Sequence, residues 1–305
     1  MISVIIATKD RPEKLNRCLS SFTHQSEKDF EIVVINQGAH FEIDKAVLYH
    51  LPSYRYIHNS KKGKSKALNI GISSARGSIL AFTDDDCIAS NTWIHTIKNT
   101  FSTHENISAI FGKTVPFEPN KHVHETCPSV FLKKKMSVIT QPCIHYEQVG
   151  FGNNMAIRAT VLQKVGKFSE WLGPGSIGSN AEDADMILRM LTRNYQILYC
   201  PRMLVSHNKW LNAHELYIQG LSYTCGELAC YVYYQRLGHT FPRELVLRNI
   251  RDSYSDCKKY CKAFYYHHGV GQLRSIWKYC VIKNIYKVRG ICVAIAASMF
   301  SNRGV

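Results

Sequence analysis

The stretch Ile79-Leu80-Ala81-Phe82-Thr83-Asp84-Asp85-Asp86-Cys87 joins an apolar run to three consecutive acids. The apolar run predicts a short strand that is buried on both faces, as in a parallel sheet. The acids would then lie at the carboxyl end of that strand, where open α/β sheets bind their ligands. Because adjacent carboxylates repel one another, a cation is expected beside them. Their oxygens suit Mg²⁺ or Mn²⁺, which keep substrate phosphates in their shell, so a metal–diphosphate site is predicted, with a simple acidic turn as the alternative.

The residues before this stretch predict a parallel sheet. Apolar and β-branched residues indicate strands at Ser3–Thr8, Glu31–Ile35 and Tyr54–His58, the last of them at the sheet edge. Between the first two strands a helix is expected to begin after Asp10, with Asp10 as its N-cap and Glu13 completing a capping box. A strand, a helix and a strand of these lengths form a βαβ unit, which is the unit of parallel sheets.

A basic loop precedes the helix that leads into the stretch. Its residues are Lys61-Lys62-Gly63-Lys64-Ser65-Lys66, and the apolar face of the following helix fixes its position. Backbone N–H groups, the helix dipole and the lysines would together favour a phosphate group. A solvated run of charge is the alternative.

Four segments after the stretch carry further expectations. Gly150–Ala156 is a run of small residues that suits the close approach of a ligand, or forms an ordinary turn. Residues 173–180 contain three glycines and little that can pack, which predicts a mobile loop. Glu182-Asp183 begins a helix, where acids are also common as capping groups. Ile197–Cys200 indicates a short strand, with a turn and then His207 after it.

Length and composition limit the class of protein. The 305 residues suffice for one large α/β domain with an appendage. The net charge is +15, and residues 231–305 hold 13 Lys and Arg against 3 Asp and Glu, so this region is expected to face something anionic. The 11 cysteines have no zinc-site spacing, and their odd number predicts reduced thiols in a cytoplasmic protein. We expect neither a signal peptide nor a membrane-spanning helix.

The order of the motifs resembles the family 2 glycosyltransferases of the GT-A fold, which are inverting enzymes that use nucleotide sugars. The motifs are TKDRP, VVINQG, GKSKALNIGISSARG, FTDDDC, GNNMAIR, the pair Glu182-Asp183 and CPRMLVSH. The resemblance covers residues 1 to about 210 and implies an α/β fold with a mixed, mostly parallel sheet flanked by helices. We expect a GT-A domain over residues 1–212 and a basic, aromatic-rich helical region over residues 213–305.

The resemblance also implies roles for individual residues. The catalytic base is expected at Asp183, with Glu182 beside it. The expected ligands of Mg²⁺ or Mn²⁺ are Asp84, Asp86 and His207, the last with a structural role as the alternative. The expected donor contacts are Thr8, Asp10, Arg11, Asn36, Lys66, Asn69, Asp84 and Asp85. The expected acceptor contacts are Gly152, Asn153 and Asn154.

Two departures from the family pattern bear on the substrates. The second strand of the family commonly ends in an Asp that contacts the base of the nucleotide, and Asn36 occupies that position here. The identity of the nucleotide base is therefore left open, although a UDP-sugar is favoured. The chain also lacks the Q-x-x-R-W motif and the membrane helices of processive synthases. We therefore expect transfer of a single sugar to a glycan or lipid-linked acceptor, in cell-surface polysaccharide or lipopolysaccharide biosynthesis.

The last quarter of the chain gives a separate prediction. From residue 242 onwards basic residues are interleaved with aromatic ones, a pattern typical of helices at membrane interfaces. Peripheral attachment to the inner face of the cell membrane is expected, with packing on the main domain as the alternative. A basic nucleic-acid-binding protein and a nucleotidylyltransferase are the competing functions. No nucleic-acid motif is present and the first loop has no glycine, so neither competitor is favoured and no nucleic-acid partner is expected.

Overall fold

The structure, a computed structural model, describes residues 1–142, 149–243, 246–247, 251 and 270–301. The basic and aromatic residues of the membrane prediction that fall between 252 and 269 lie outside the described residues. The chain separates into two compact units, Met1–Glu170 with Glu182–Leu216 and Trp171–Ala181 with Tyr217–Val305. The domain boundary expected between residues 212 and 213 remains a prediction.

The strands are β1 Ile2–Thr8, β2 Phe30–Asn36, β3 Tyr54–His58, β4 Ile79–Asp84, β5 Cys87–Ala89, β6 Ile107–Pro116, β7 Ser137–Ile139, β8 Asn154–Arg158 and β9 Gln196–His207. The helices are α1 Pro12–Thr23, α2 Lys45–Tyr49, α3 Lys64–Ser74, α4 Trp93–Thr103, α5 Ala159–Val165, α6 Glu182–Leu191, α7 Ala213–Arg236 and α8 Val270–Ser301. Strands and helices alternate from β1 to β4, and β4 is then followed directly by β5.

Within the described residues the strands form one nine-stranded sheet in the order β3-β2-β1-β4-β8-β6-β9-β5, with β7 beside β9. The first four strands are parallel to one another. β8 runs antiparallel to both β4 and β6, and β5 and β7 run antiparallel to β9. The predicted mixed α/β sheet is confirmed, and β3 lies at its edge as predicted.

The core lies on both faces of this sheet, because successive side chains of a strand point to opposite faces. On one face Val4 and Ile6 of β1 pack with apolar residues of α1 and α4, including Leu19 and Ile97. On the other face Ile5 packs with apolar residues of α3, α5 and α6. Two buried faces explain why β1, β2 and β4 are continuous apolar runs.

Three local expectations are wrong. Asp10 does not cap α1, since no side-chain cap is present and Asp10 adopts a left-handed backbone with φ 55°. The second half of Gly150–Ala156 is not a turn, because Asn154 begins β8 between two other strands. Residues 196–207 form one long strand in place of a strand and a turn, because a register shift against β6 lets the pairing continue past Cys200 and Pro201.

The glycine-rich segment 173–180 makes backbone hydrogen bonds and packs on α7. Backbone N–H groups of Gly173 and Gly178 donate to the carbonyls of Asn180 and Trp171 at 3.2 and 2.8 Å. A Cβ added to Gly226 of α7 would meet the backbone of Asn180 at 2.7 Å, so the segment approaches that helix closely. The expectation that it is a mobile loop remains a prediction.

None of the helices in the described part of the chain combines the length and apolar character that crossing a bilayer requires.

Candidate active site

The register of the parallel strands brings the predicted donor residues together. Thr8 pairs with Asn36 on β2, and Ala7 pairs with Asp84 on β4. Because β2, β1 and β4 are parallel neighbours, their carboxyl ends meet at one edge of the sheet, the edge at which α/β folds bind ligands. Thr8, Asn36 and Asp84 thus lie along this edge.

Asp85 ties the first loop to the end of β4. It is 3% exposed, accepts a hydrogen bond from Oγ1 of Thr8 at 2.7 Å, and forms an ion pair with Arg11 at 3.2 Å. Burial raises the pKa of Asp85 to about 6, and the charge of Asp86 adds to the rise. Its contacts position Thr8 and Arg11 against the acidic cluster.

Asp86 lies beside His207 because β5 pairs with the end of β9. The backbone N–H of Asn208 donates to the carbonyl of Asp86 at 2.7 Å, and Nε2 of His207 lies 3.3 Å from Oδ1 of Asp86. Nδ1 of His207 contacts the carbonyl of Pro128 at 2.8 Å, and that contact requires the proton on Nδ1. Burial would lower the pKa of His207, but its hydrogen bonds to Asp86 and Cys127, together with the charge of Asp86, outweigh burial and raise it.

The residues around this pair fit a divalent metal. Ligand atoms of Asp86, Cys87 and His207 lie within 4.8 Å of one another. Burial raises the pKa of the Cys87 thiol well above its usual value, which keeps it protonated and makes it a poor ligand. A carboxylate and an imidazole are donors that suit Mn²⁺, and the side chain of Asp84 is 28% exposed at the end of β4. Of the predicted ligands, Asp86 and His207 are therefore in contact, and Asp84 ends β4 two residues before Asp86.

Lys64 connects the acidic cluster to the acids of α6. Its Nζ lies 2.6 Å from Oδ1 of Asp84 and 3.6 Å from Oε1 of Glu182. Burial would lower the pKa of Lys64, but the charges of Asp84 and Glu182 outweigh burial and raise it. Burial also raises the pKa of Glu182, against the opposing charge of Lys64. One ammonium group thus holds two of the predicted catalytic and donor carboxylates together.

Asp183 is held by backbone N–H groups on both of its oxygens. Gly152 donates to Oδ2 at 2.8 Å, and Ala184 donates to Oδ1 at 2.9 Å. A Cβ on Gly152 would lie 2.9 Å from the Cβ of Asp183, so only glycine permits this approach. The carboxylate is 9% exposed and belongs to the first turn of α6, whose dipole favours a negative charge.

The two asparagines after Gly152 differ from one another. Asn154 is fully buried and hydrogen-bonds to Trp93, Lys113 and Met203, which gives it a structural role between strands, and the acceptor contact expected for it remains a prediction. Asn153 is 4% exposed and accepts hydrogen bonds from Thr83 and a threonine of β6. Its Nδ2 is buried and has no hydrogen-bond partner among the described residues.

Asn36 organises the turn after β2. Its Oδ1 accepts from the N–H of Gly38 at 2.9 Å, and its Nδ2 donates to the carbonyl of Ala39 at 2.7 Å and to Tyr56. Oδ1 of Asp10 accepts from the N–H of Ala39 at 2.9 Å. The donation to a carbonyl explains the amide, since a carboxylate at this position could not donate. Asn36 is fully buried, so its influence on a nucleotide would pass through the shape of this turn.

Lys66 and Asn69 lie on α3 in different environments. Lys66 is half-buried in the first turn. Asn69 is 9% exposed, and its amide exchanges hydrogen bonds with the backbone of Phe168 and contacts Glu170. Asn69 thus anchors the segment that precedes the glycine-rich residues, which differs from the donor contact expected for it.

Sequence reasoning missed three polar residues of this region. Lys64 was indistinguishable from its neighbouring lysines, although it is the first residue of α3 after Gly63. Lys14 lies 3.9 Å from Asp86, and its position one turn after Arg11 on α1 is the sign that it faces the same way. Gln37 donates to the carbonyl of Gly63 at 3.0 Å and so positions the basic loop, a contact with no sign in the sequence.

Comparison with known proteins agrees with this geometry. The family described as "Glycosyl transferase family 2" matches residues 3–166. Glycosyltransferase AglE of Haloferax volcanii is 25% identical over 180 residues, which are 57% of this chain and 58% of AglE. The uncharacterized glycosyltransferase YibD of Escherichia coli is 34% identical over 88 residues, 28% of this chain and 26% of YibD. The chain thus spans little more than half the length of AglE, and less of YibD.

Solved structures share the fold. The mannosyltransferase PcManGT of Pyrobaculum calidifontis, in complex with GDP-Man and Mn²⁺, superposes with a TM-score of 0.60 at 13% identity, over 98% of this chain and 87% of PcManGT. Residues 1–349 of TarS from S. aureus, in complex with UDP, give a TM-score of 0.59 at 13% identity, over 100% of this chain and 92% of that one. These matches confirm the predicted GT-A fold. Since the family match extends over more than half of its residues, the chain belongs to glycosyl transferase family 2.

Proposed function

We propose that this protein transfers a single sugar from a nucleotide-sugar donor, by preference a UDP-sugar, to a hydroxyl group of a glycan or lipid-linked acceptor with inversion at the anomeric carbon. The family supports glycosyl transfer. PcManGT was solved with GDP-Man and TarS with UDP-GlcNAc, and both ligands are nucleotide sugars. Cell-surface polysaccharide or lipopolysaccharide biosynthesis is the setting in which such acceptors occur.

The observation that carries the proposal is the arrangement of two acidic groups around Lys64. Asp84 contacts this lysine from the end of β4, and Glu182 contacts it from the start of α6. A transferase of this kind has to stabilise the negative charge that develops on the leaving diphosphate and to accept the proton that leaves the acceptor hydroxyl. The end of β4 suits the first task and the start of α6 suits the second.

On the donor side, Asp84, Asp86 and His207 would hold Mg²⁺ or Mn²⁺, which would neutralise charge on the leaving diphosphate. Arg11 and Lys14 lie 3.5 and 3.9 Å from Asp86 and add positive charge at the same place. Asp85 keeps Thr8 and Arg11 in position. Asp10 and Asn36 shape the turn beside the nucleotide, and Lys66 contributes charge from α3.

On the acceptor side, Asp183 would accept the proton of the attacking hydroxyl, and the hydroxyl oxygen would displace the diphosphate from the opposite face of the sugar. General-base assistance of this type contributes about 10²–10⁴-fold to a rate. Gly152 fixes the orientation of the Asp183 carboxylate. Asn153 carries a buried amide nitrogen that no described residue hydrogen-bonds, which suits a donated hydrogen bond to the acceptor.

A thermal-shift screen of nucleotide sugars, each with and without Mn²⁺, tests the proposal, because a ligand that binds only the folded state raises the Tm. We expect one nucleotide sugar to raise the Tm only when Mn²⁺ is present. Transfer from that donor is then followed by NMR, with product of inverted anomeric configuration expected. No stabilisation by any donor with metal, or product of retained configuration, would contradict the proposal.

A further inference from the structure

Several large apolar side chains of the C-terminal helix α8 are exposed. Val281, Ile285, Val288 and Met299 are 36%, 58%, 59% and 57% exposed, and the thiol of Cys292 is exposed as well. Their spacing of four, three, four and seven residues places all five on one line along the helix. We call this line the outer stripe. At 1.5 Å per residue it is about 27 Å long.

The opposite side of α8 is made of small and polar residues and packs against α7. Lys287 and Ser298 are 6% and 3% exposed, and Ala294 is fully buried. A Cβ on Gly290 would come within 2.5 Å of the carbonyl oxygen of Cys225, so the helices touch there through a glycine. The outer stripe cannot replace this side, because Ile or Val has no room where Gly290 sits.

The side of α8 that faces α7 is also tied by polar contacts. Nε of Arg236 donates to Oγ of Ser298 at 2.7 Å, and a guanidinium nitrogen of Arg289 donates to the carbonyl of Ile177 at 3.0 Å. Both contacts lie within the same compact unit as α8. The orientation of the helix in this unit is therefore fixed, with the apolar line outward.

Charge and size identify what covers the stripe. The sequence of α8 contains five basic residues and no acidic residue. A second copy of this chain, with a net charge of +15, would be repelled, whereas an anionic surface would be attracted. A stripe about 27 Å long on a helix about 10 Å wide covers roughly 270 Å², well below the roughly 800 Å² per partner of a stable protein interface.

We propose that the outer stripe of α8 inserts into the interfacial region of an anionic lipid bilayer, with the helix parallel to the membrane surface. Apolar side chains on one line of a basic helix bury in the headgroup boundary, and basic residues near the surface are attracted to anionic lipid. Only the role of this membrane binding rests on the proposed function: it would bring the active site to a lipid-linked acceptor.

Flotation of the full chain with vesicles tests the inference in the absence of donor and acceptor. The vesicles contain phosphatidylcholine alone or with 30% phosphatidylglycerol, at about 50 and 500 mM salt, which span weak and strong screening. Binding is expected to anionic vesicles at low salt, with weaker binding at high salt and on neutral vesicles. Failure to bind anionic vesicles would overturn the inference, and sugar transfer, measured separately with a soluble acceptor, would be unaffected by that result.

A matched pair of variants locates the contact. Val288→Glu places a charge on the outer stripe, and Val123→Glu makes the same change at a position that is 81% exposed outside α8. Loss of apolar burial should weaken vesicle binding of Val288→Glu about tenfold or more, because 1.4 kcal/mol corresponds to tenfold and one buried Val contributes at least that. Val123→Glu should bind as the parent does.

The same variants test whether a second copy of this chain covers the outer stripe. Circular dichroism and Tm confirm that both variants fold, and Met299→Glu repeats the test near the end of the stripe. Equal vesicle binding by Val288→Glu, Met299→Glu and the parent would overturn the proposal. So would a dimer in sedimentation velocity that Val288→Glu dissociates, because the stripe would then be a contact between two copies.

Discussion

Nζ of Lys64 lies 2.6 Å from Oδ1 of Asp84, at the point where β4 ends and the run of three acids begins. The same nitrogen is 3.6 Å from Glu182, which begins helix α6 more than a hundred residues later in the chain. A single ammonium group therefore neutralises carboxylates from both halves of the proposed site. If a divalent ion binds Asp84 during function, Lys64 has to share that carboxylate with the ion or release it.

The first prediction concerns Lys64→Met, which keeps the aliphatic stem and removes the charge. Without a divalent ion, Asp84 and Glu182 lose a charged partner, and stability should fall by about 1–3 kcal/mol. Mn²⁺ can take over part of that neutralisation, so the ion should raise the Tm of Lys64→Met by more than it raises that of the parent. Thermal unfolding in EDTA and in Mn²⁺ measures both effects.

Lys62→Met is the matched control, since Lys62 belongs to the same loop and is exposed. It should unfold as the parent does in both conditions. If Lys64→Met matches Lys62→Met in EDTA and in Mn²⁺, the Lys64 contact has no part in holding the acids.

The second prediction separates two adjacent buried acids. Asp86 contacts His207, whereas Asp85 contacts Thr8 and Arg11. Asp86→Asn should abolish the stabilisation that Mn²⁺ gives in the presence of nucleotide sugar, because an amide is a much weaker metal ligand than a carboxylate. Asp85→Asn should keep the response to Mn²⁺ and bind donor more weakly. Isothermal titration with Mn²⁺ and with donor compares the variants, and equal Mn²⁺ affinity of parent and Asp86→Asn would exclude Asp86 as a ligand.

How much of this site could be predicted depends on the range of the interactions. The ends of β1, β2 and β4 were predictable because apolar runs followed by polar residues are local features of the sequence. The contact of Asp86 with His207 depends on the pairing of β5 with β9, residues more than a hundred positions apart, and a family resemblance was needed to connect them. No local pattern distinguishes Lys64 from Lys61, Lys62 and Lys66, because only the packing of α3 decides which lysine turns inward.

Small polar residues were the hardest to assign. Asn153 and Asn154 look equivalent in the sequence, yet Asn154 lies between strands with its amide fully used, and Asn153 has a buried nitrogen with no partner in the part of the chain that the structure describes. The difference follows from where β8 begins, because Asn154 is its first residue and Asn153 lies in the turn before it. Glycines and asparagines have low strand propensity, which explains why a turn was one of the two alternatives for Gly150–Ala156 and a strand was not considered.

The third prediction concerns stability against pH. Glu31, 2% exposed at the start of β2, accepts hydrogen bonds from Ser3, from the N–H of Arg76 and from the side chain of Arg55. Burial would raise the pKa of Glu31, but these contacts outweigh burial and lower it. A carboxylate whose pKa is lower in the folded state stabilises the fold above its unfolded pKa of about 4.3, and this contribution is lost as the pH falls through the folded value.

Glu31→Gln should therefore lower the free energy of unfolding by about 2–3 kcal/mol at pH 7, and the difference should shrink as the pH falls below about 4. Urea unfolding across this pH range measures it. Glu42→Gln, at an exposed position, should leave stability unchanged. Transfer activity at pH 7 should be retained, since Glu31 lies at the opposite end of β2 from Asn36. A difference that stays constant down to pH 3 would contradict the assignment.

The fourth prediction uses the close approach of Gly152 to Asp183. An added Cβ would lie 2.9 Å from the Cβ of Asp183 and 3.1 Å from its Oδ2, so Gly152→Ala has to displace the carboxylate. Misplacement of a reacting group by about 1 Å can cost up to 10²-fold in rate, and we expect transfer to fall about 10- to 100-fold. Gly220→Ala, where nothing lies within 4 Å, should leave transfer unchanged and stabilise α7 by about 0.5–1 kcal/mol. Equal transfer rates of the two variants would show that Asp183 need not be held where it is.

The fifth prediction concerns the base itself. If Asp183 accepts the proton of the acceptor, Asp183→Asn should reduce kcat by about 10²-fold or more and change donor affinity little, because the proposed metal ligands lie elsewhere. The substitution also has a structural effect, which has to be separated from its effect on catalysis. Both carboxylate oxygens accept backbone N–H groups, from Gly152 and Ala184, and an amide can accept only one of them.

The structural effect should cost about 1–3 kcal/mol of stability, which thermal unfolding measures directly. Kinetics are therefore recorded well below the Tm of the variant, with kcat and the donor KM determined separately. A role limited to helix capping predicts nearly normal kcat, since Asn caps about as well as Asp. Glu182→Gln is the comparison, because Glu182 is the neighbouring acid and contacts Lys64. If Asp183→Asn transfers sugar at close to the parent rate while Glu182→Gln does not, the base is Glu182, and the N–H groups around Asp183 serve only to start helix α6.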